Sequence, residues 1–343
     1  MKEINTVDAV GHVLCHDMTR IIPGVSKDAA FRKGHIVTEE DIPILLSMGK
    51  EHLYVWEKDE SMYHEDEAAE ILWEICAGPY TSRGEVKEGK VELFADTDGL
   101  FEINRVRLDR VNALGEMMIA ARNDHVPVKK GDKLAGTRVI PLVIEKEKME
   151  RARAEAGPEP LLRVRPFRHC RVGIVVTGSE VFSGRIEDQF GPAIERKMAD
   201  YDTEVLGREI VGDDPAEIAA HIQGFLRRGA DLICCTGGMS VDPDDTTPSA
   251  IRASGAEIVT YGAPVLPGAM FLLAYTDQDV PIMGLPGCVM YSRRTIFDLV
   301  LPRVMCGDRL SRAELARLGS GGLCLDCKVC TWPNCGFGKG GAL

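Results

Sequence analysis

Residues 236–245 read Thr-Gly-Gly-Met-Ser-Val-Asp-Pro-Asp-Asp and follow directly on the apolar run Asp231-Leu-Ile-Cys-Cys235. The apolar run predicts a buried strand, and the paired glycines predict a tight turn at its carboxyl end. A buried run followed by a glycine turn occurs at two further places in the chain. These are Val172-Gly-Ile-Val-Val176 with Thr177-Gly178-Ser179-Glu180, and Pro281-Ile-Met-Gly-Leu285 with Pro286-Gly287-Cys288.

Helical patterns separate these strands. Asp214-Pro215-Ala216-Glu217 is typical of a helix start, with Asp as N-cap and Pro at the first helical position. Further helices are predicted near 190–200, from Thr247, and over 289–304, and further strands at 204–211 and 257–260. Strands that alternate with helices of 10–15 residues indicate an α/β domain with a doubly wound, mostly parallel sheet. We place this domain at 166–310.

The remaining chain divides into three parts. Residues 1–60 contain a short helix after Thr38-Glu39-Glu40-Asp41 and a strand at 52–56. Residues 61–165 begin with an amphipathic helix, continue as a β-rich accessory region and end in a charged linker. Residues 311–343 form a cysteine-rich tail behind Gly319-Ser-Gly-Gly322, which predicts a flexible joint.

Composition excludes several functional classes. The 343 residues include 41 Lys and Arg against 53 Asp and Glu, for a formal net charge of −12. Such a chain repels polyanions, so a nucleic-acid partner is not expected. No apolar run approaches the roughly 20 residues of a membrane span, and the N-terminus lacks the apolar segment of a signal peptide. We therefore expect a cytoplasmic protein with reduced thiols and no membrane partner.

The three glycine turns indicate a site for a phosphate-bearing ligand. In an open parallel sheet, ligands collect at the carboxyl ends of the strands, where glycine lets backbone N–H groups approach an oxyanion. The chain has no Walker A sequence, and no GxGxxG motif follows a predicted strand of the sheet, which argues against a P-loop NTPase and a dinucleotide dehydrogenase. The expected ligand-binding residues are Thr177, Gly178, Ser179, Thr236, Gly237, Gly238, Ser240, Pro286 and Gly287.

Carboxylates follow or flank the same turns. The helix-cap interpretation accounts for Asp214, whereas Glu180, Asp188, Asp213 and Asp245 have an alternative interpretation as functional acids. Carboxylates and bound phosphates are both negatively charged, so they can lie close together only when a hard cation such as Mg²⁺ is bound between them.

Residues 172–302 resemble the molybdopterin-binding domain shared by MoeA, MogA/MoaB and gephyrin. The resemblance rests on Thr177–Glu180, Gly184-Arg-Ile-Glu-Asp188, Val211-Gly-Asp-Asp-Pro215, Thr236–Asp245, Val265-Leu-Pro-Gly268 and Leu285-Pro-Gly287. Phe31-Arg-Lys-Gly34 and Glu40–Gly49 also look like the N-terminal segment of MoeA.

This resemblance implies molybdenum cofactor biosynthesis. The leading hypothesis is a MoeA-like molybdenumtransferase that inserts molybdate into adenylated molybdopterin with Mg²⁺. The alternatives are a MogA-type molybdopterin adenylyltransferase and a non-catalytic cofactor carrier or redox sensor. By position, Asp213 and Asp245 match the acidic pair of the MogA-type pocket, Asp188 matches an aspartate of MoeA, and Glu180 matches the acid of the first MoeA loop. The implied partners are molybdopterin or its adenylate, molybdate, molybdoenzyme apoproteins and a second copy of the chain.

The sequence also departs from the family pattern. The lysine-bearing Lys-Pro-Gly-Lys turn of MoeA is Leu266-Pro-Gly-Ala269 here, so two cations expected to face phosphate are missing. Arg293 and Arg294, after the third glycine turn, are the candidates to replace them. MoeA also carries a β-rich C-terminal domain, where this chain has only the tail.

The tail contains Cys324, Cys327, Cys330 and Cys335. Bacterial ferredoxins place three cysteines at the same two-residue spacing, although their fourth cysteine is followed by proline, which is Gly336 here. Four thiolates also suit tetrahedral zinc. We expect a 4Fe–4S cluster or Zn²⁺ at these cysteines, with four free thiols as the alternative, on a segment that folds separately from the sheet.

Overall fold

The structure is a computed structural model that describes residues 2–22, 26–55, 60–240, 242 and 245–340. The chain forms two compact units. The first unit contains Met1–Thr97, Glu102–Arg122 and Lys130–Val164. The second unit contains Asp98–Phe101, Asn123–Lys129 and Arg165–Leu343.

The chain up to residue 166 is rich in short strands, as its sequence predicts. Its elements are β1 (Lys2–Asn5), β2 (Met18–Ile22), β3 (Ser26–Phe31), α1 (Asp41–Ser47), β4 (His52–Val55), β5 (Met62–His64), α2 (Glu65–Cys76), β6 (Thr81–Arg83), β7 (Lys90–Ala95), β8 (Gly99–Ile103), α3 (Arg105–Ala113), β9 (Met117–Ala121), β10 (Val126–Val128), β11 (Lys133–Val139), β12 (Val143–Glu145), α4 (Lys146–Ala156) and β13 (Leu162–Pro166).

The largest sheet of the first unit is antiparallel, with strand order β6-β7-β11-β9. Helix α2 packs on β7 and β11. It begins with a capping box, in which the His64 side chain accepts from the Asp66 N–H and the Glu67 carboxylate accepts from the His64 N–H. These two hydrogen bonds satisfy backbone N–H groups that have no partner within the helix, and they fix where the helix starts. The buried Ala, Ile and Leu side chains of α2 cover the sheet. Trp56, the last residue of the strand predicted at 52–56, lies outside the described residues.

The second unit carries the α/β domain. Its elements after residue 166 are β14 (Cys170–Thr177), α5 (Ser179–Phe182), α6 (Phe190–Met198), β15 (Thr203–Val211), α7 (Pro215–Arg227), β16 (Leu232–Thr236), α8 (Thr247–Ala253), β17 (Glu257–Tyr261), β18 (Leu272–Tyr275), β19 (Pro281–Leu285), α9 (Ile296–Met305) and α10 (Arg312–Arg317).

The predicted doubly wound, mostly parallel sheet is confirmed. Its strand order is β15-β14-β16-β19-β18-β17, and the first four strands are mutually parallel. Strand β18 pairs antiparallel with both of its neighbours. Sequence patterning misses β18, because its four residues are apolar and fully buried and lie only five residues before β19.

Alternate residues of β14 explain why the sheet is covered on both faces. Ile174 and Val176 join one buried core with α6 and α9, whereas Val175 joins a second core with α7 and α8. Successive side chains of a strand point to opposite faces, so an uninterrupted apolar run places both faces in contact with helices.

The helix predicted over 289–304 begins later than expected. A 3₁₀ turn occupies Gly287–Met290, and α9 starts at Ile296. Thr295 and Asp298 form a capping box, because the Thr295 hydroxyl accepts from the helix N–H groups and the buried Asp298 carboxylate accepts from the Thr295 N–H at 2.8 Å. The capping box therefore determines where α9 begins, although the residues before it also have a helical pattern of apolar side chains.

Among the helices of the described residues, none combines the length and the apolar character that a membrane span requires.

Candidate functional site

The three glycine turns lie at one edge of the parallel sheet. The strand register pairs Val176 with Thr236 and Thr236 with Leu285. Strands β14, β16 and β19 are adjacent and therefore end at the same level. Gly178, Gly237 and Gly287 follow these ends within two residues, so the sequence prediction that the turns converge is confirmed for the backbone.

The first two turns are packed together through two threonines. The Thr177 and Thr247 hydroxyl oxygens are 3.0 Å apart, and the Thr247 hydroxyl also lies 2.8 Å from the Gly237 carbonyl oxygen, to which it donates. Both threonines are buried. Thr247 is not among the predicted ligand-binding residues, because the sequence assigns Thr247-Pro248 to the start of a helix.

Gly237 fills a position that no other residue fits. Its φ of +84° lies in the left-handed region, and a Cβ built on it would overlap the Thr177 carbonyl oxygen. The second turn therefore needs glycine because it must approach the end of the first strand closely.

The Asp213 carboxylate connects the first turn to the loop after β15. Its Oδ2 accepts from the Ser179 N–H at 2.9 Å and from the Ser179 hydroxyl at 2.5 Å. The Asp213 carbonyl oxygen in turn accepts from the Thr246 hydroxyl at 2.7 Å. Asp213 is therefore bonded both to the first turn and to the residue that follows Asp245.

Asp245 is half-buried and closes a short turn with Asp242. Its Oδ2 accepts from the Asp242 N–H at 3.0 Å, and its own N–H donates to the Asp242 carbonyl at 2.9 Å. Val241, Pro243 and Asp244, which belong to the same loop, lie outside the described residues.

Tyr261 approaches this loop from β17. Its hydroxyl is 3.0 Å from the carbonyl oxygens of both Met239 and Ser240, and its partial burial together with the negative Asp245 carboxylate raises the Tyr261 pKa. The sequence offered no signal for Tyr261, because it comes from a distant strand.

Thr236 has a polar atom without a protein partner. The residue is fully buried at the end of β16, and its Oγ1 makes no hydrogen bond within the described part of the chain. An unsatisfied buried hydroxyl costs free energy, and this one lies at the centre of the edge where the three turns meet. Three further predicted residues of this edge, Ser179, Glu180 and Ser240, have exposed side chains.

Asp188 has a different position from Asp213 and Asp245. It is 8% exposed and caps α6, where it accepts hydrogen bonds from the backbone N–H groups of Phe190 and Gly191. Its second oxygen lies 3.5 Å from Nε of Arg208. These partners account for the Asp188 carboxylate as a helix cap with a cationic neighbour, and none of them belongs to the three turns.

Arg293 and Arg294 contact the tail. Nη1 of Arg293 donates to the carbonyl oxygens of Cys327 at 3.1 Å and Lys328 at 2.9 Å. Arg294 donates to Asp298 at 2.9 Å, and its guanidinium lies 4.3 Å from the centre of the Trp332 ring. The expectation that these arginines replace the missing lysines is therefore not supported by their contacts, since both are engaged elsewhere.

The tail does not form the separate knob that the sequence predicts. Leu323 forms a parallel bridge with Leu266, and Phe337 is buried in the core shared with α9. Gly322 is tightly packed, because a Cβ built there would overlap the Pro264 carbonyl oxygen. The glycines of 319–322 thus permit close packing, and the prediction of a flexible joint is wrong.

The four tail cysteines are free thiols in this structure. Cys324 and Cys335 are partly buried against the core, and Cys327 and Cys330 are exposed. Nowhere in the described residues are three or more His, Cys, Asp or Glu side chains arranged to hold a metal ion. The metal site in the tail, like the magnesium site at the turns, stays a prediction.

A doubly wound sheet with three glycine turns at one edge is the arrangement at which α/β domains commonly bind ligands. Residues 173–305 match the family model described as "Probable molybdopterin binding domain", and residues 3–57 match a model described as a domain of unknown function. Residues 173–305 therefore carry a domain of the molybdenum cofactor biosynthesis type, as the resemblance implied. The molybdopterin-binding model does not extend to the N-terminal segment, residues 1–60.

Curated relatives match a short stretch of the chain. A "CinA-like protein" of Mycobacterium tuberculosis is 39% identical over 91 residues, which are 26% of this chain and 21% of the relative. Another from Mycolicibacterium vanbaalenii is 39% identical over 95 residues, 27% of this chain and 22% of the relative. The matched stretch thus spans about a fifth of the length of these relatives.

Solved structures are similar to part of the chain. The molybdopterin biosynthesis enzyme MoaB of Thermus thermophilus is 25% identical, covers 40% of this chain and 98% of its own, and has a TM-score of 0.34. The tungsten cofactor synthesizing protein MoaB of Pyrococcus furiosus is 20% identical, covers 36% of this chain and 84% of its own, and has a TM-score of 0.31.

Proposed function

We propose that residues 173–305 bind molybdopterin through its phosphate at the three glycine turns and catalyse its adenylylation. The observation that carries this proposal is the hydrogen bonding of Asp213 to both the first turn and the loop that contains Asp245. Asp213 is hydrogen-bonded to Ser179 in the first turn and to Thr246, which is the residue next to Asp245. Asp188, which matches an aspartate of MoeA by position, accepts hydrogen bonds from the N–H groups at the start of α6. This arrangement favours the MogA-type activity over the molybdenumtransferase.

The turns supply the phosphate-binding groups. In the first turn, the Gly178 N–H donates to the Val211 carbonyl oxygen and the Ser179 N–H donates to the Asp213 carboxylate. The backbone donors proposed for the phosphate are therefore those of the second and third turns, where glycine lets an oxyanion approach without a side chain in between. The partnerless Thr236 hydroxyl can donate to a ligand or an ordered water. The Ser179 and Ser240 side chains are exposed at the same edge. Together these groups suit a phosphate monoester such as that of molybdopterin.

Magnesium fits this donor set without a third protein ligand. Mg²⁺ is commonly bound by one or two carboxylates together with substrate phosphates, so Asp213 and Asp245 are sufficient protein ligands. When bound, it would neutralise charge on the reacting phosphates. In the proposed reaction, an oxygen of the pterin phosphate attacks the α-phosphorus of ATP. The bond from that phosphorus to the bridging oxygen breaks, and pyrophosphate leaves.

The protein itself contributes orientation and charge. The Ser179 contacts fix the position of the Asp213 carboxylate, and the hydrogen bond from the Asp242 N–H fixes that of Asp245. Fixed carboxylates need no reorganisation when the phosphates react, which lowers the barrier relative to mobile ones.

The test is a pair of incubations with the purified full-length protein. Molybdopterin with ATP and Mg²⁺ should yield adenylated molybdopterin and pyrophosphate. Release of AMP from adenylated molybdopterin and molybdate would support the molybdenumtransferase instead. Binding of molybdopterin without turnover in either incubation would support the carrier or sensor. The last two results each contradict the proposed activity.

Asp245→Asn gives the sharper comparison. The amide retains an oxygen that accepts from the Asp242 N–H but removes the negative charge, so the adenylylation rate should fall about 100-fold or more while molybdopterin still binds. Asp214→Asn is the matched control. Asp214 is exposed and caps α7 through the Ala216 N–H, a position that asparagine occupies equally well. An unchanged rate in Asp245→Asn would contradict the assignment.

A further inference from the structure

The tail from Leu323 to Gly340 is fixed to the domain at both ends. At its start, the Cys324 N–H donates to the Leu266 carbonyl oxygen at 2.8 Å. At its end, Phe337 is 4% exposed and the Gly338 N–H donates to the Gly321 carbonyl oxygen at 2.9 Å. The intervening segment is therefore a closed loop, which we call the tongue and define as residues 324–335.

The tongue has little to hold its own conformation. It contains no helix or strand among its described residues, and its Leu325 and Val329 side chains are 77% and 75% exposed. Segments of this size that bury few apolar side chains generally need a cross-link or a metal ion to become ordered. Its cysteines form no disulfide.

The four cysteines are spaced along the tongue, and this structure does not gather three of them around one point. Cys324 and Cys335 lie at the two fixed ends and pack against the core, whereas Cys327 and Cys330 lie on the exposed arc between them. Each three-residue step along the chain spans at most about 11 Å when extended, so the arc can bring its two thiols to the fixed ones. In a centre built from all four, the domain would hold two ligands in place, and the arc would supply the other two by moving toward them.

Two arginines of the domain provide positive charge beside the arc. Arg293 donates to the carbonyl oxygens of Cys327 and Lys328, and Arg294 forms a hydrogen bond with the Cys330 side chain. Four thiolates on Zn²⁺ carry a net charge of −2, which these neighbours offset.

We propose that Cys324, Cys327, Cys330 and Cys335 ligate one thiophilic metal centre, docked on the α/β domain beside Arg293 and Arg294. Its ligand chemistry is that of tetrahedral Zn²⁺ or of an iron–sulfur cluster. Arg293, which donates to the Cys327 carbonyl oxygen, follows the 3₁₀ turn Gly287–Met290 by three residues and so connects the tongue to the segment after the third glycine turn. The proposal does not depend on the activity of the turns.

The test uses the full-length protein, purified without oxygen. It is treated either with Zn²⁺ alone or with Fe²⁺ and sulfide, freed of excess by gel filtration, and analysed for metal and acid-labile sulfide. If the centre binds zinc, the Zn²⁺ treatment should give about one zinc per chain. If it binds a cluster, the treatment with Fe²⁺ and sulfide should give iron, acid-labile sulfide and the broad visible absorption of a cluster. The two arms thereby identify the metal. No metal above background in either arm, with all four tail thiols open to alkylation, would overturn the proposal.

Substitution separates this centre from binding elsewhere. The double variant Cys327→Ser and Cys330→Ser changes only exposed side chains, so the fold should persist while the metal content falls at least tenfold. The matched control is Lys328→Ser, an exposed residue between the two cysteines, and it should retain the metal. Full metal content in the cysteine variant would place the metal elsewhere and contradict the assignment.

Discussion

The Thr177 and Thr247 hydroxyl oxygens lie 3.0 Å apart, and this contact joins the end of β14 to the first turn of α8. Thr247 also donates to the Gly237 carbonyl oxygen. A single buried hydroxyl thus connects the first glycine turn, the second glycine turn and the helix that follows Asp245. The geometry of the proposed binding edge depends on this polar contact as much as on the glycines.

Thr247→Val should loosen the edge while preserving side-chain volume. Valine removes the hydroxyl and leaves the Gly237 carbonyl without its donor, so the free energy of unfolding should fall by about 1–3 kcal/mol. Molybdopterin should bind more weakly as well. Thr247→Ser keeps the hydroxyl and should retain most of the binding. Denaturant unfolding and ligand titration measure both effects, and equal behaviour of the two variants would contradict this role.

Gly237→Ala should be among the most damaging single substitutions in the domain. Alanine is strained at a φ of +84°, and its Cβ would overlap the Thr177 carbonyl oxygen. We expect a loss of about 4 kcal/mol or more in the free energy of unfolding, or no folded domain. Gly287→Ala is the control, since its Cβ meets no atom within 4 Å. The free energy of unfolding of Gly287→Ala should change by about 0.5 kcal/mol or less. Thermal unfolding of both variants measures the difference, and equal stability of the two would contradict the prediction.

The stability of the first unit should depend on the protonation of Glu65. Burial, assisted by the neighbouring Asp66 carboxylate, raises the pKa of Glu65 to about 7 from an ordinary value of 4.5. Because the folded state holds the proton more tightly, this contribution is complete below pH 4.5 and is lost as the pH rises through 7.

Glu65→Gln should remove this dependence. The free energy of unfolding of the wild type should decrease between pH 5 and pH 7 by on the order of 1–3 kcal/mol from this group. The variant should show a correspondingly flatter profile over the same range. Denaturant titrations at several pH values measure the slope, and identical slopes in the two proteins would exclude Glu65 as its source.

The sequence predicts the central domain well because local patterns and packing agree there. The buried run at Val172–Val176 and the Asp214-Pro215 helix start are both observed, the first inside β14 and the second as the N-cap of α7. The convergence of the glycine turns also follows from parallel strands, whose carboxyl ends meet at one edge.

Contacts between distant segments could not be predicted in the same way. Asp188 follows a turn much as Asp213 does, and only the folded chain shows that it caps α6 and faces Arg208. Gly322 has the composition of a flexible joint, whereas its actual role depends on the approach of Pro264. Composition indicates how a segment behaves in isolation. The roles of Asp188 and Gly322 depend instead on residues that only the fold brings next to them.

The central claim is that the glycine-turn edge binds molybdopterin through its phosphate, and direct titration tests it without requiring turnover. Binding of molybdopterin and of its dephosphorylated form should be measured by calorimetry under anaerobic conditions, with wild type and Gly287→Glu. The added carboxylate enters open space but repels phosphate. The account predicts that wild type binds the phosphorylated pterin at least tenfold more tightly than the dephosphorylated one, and that Gly287→Glu loses this preference. Equal affinity of the wild type for both pterins, or an undiminished preference in Gly287→Glu, would contradict it.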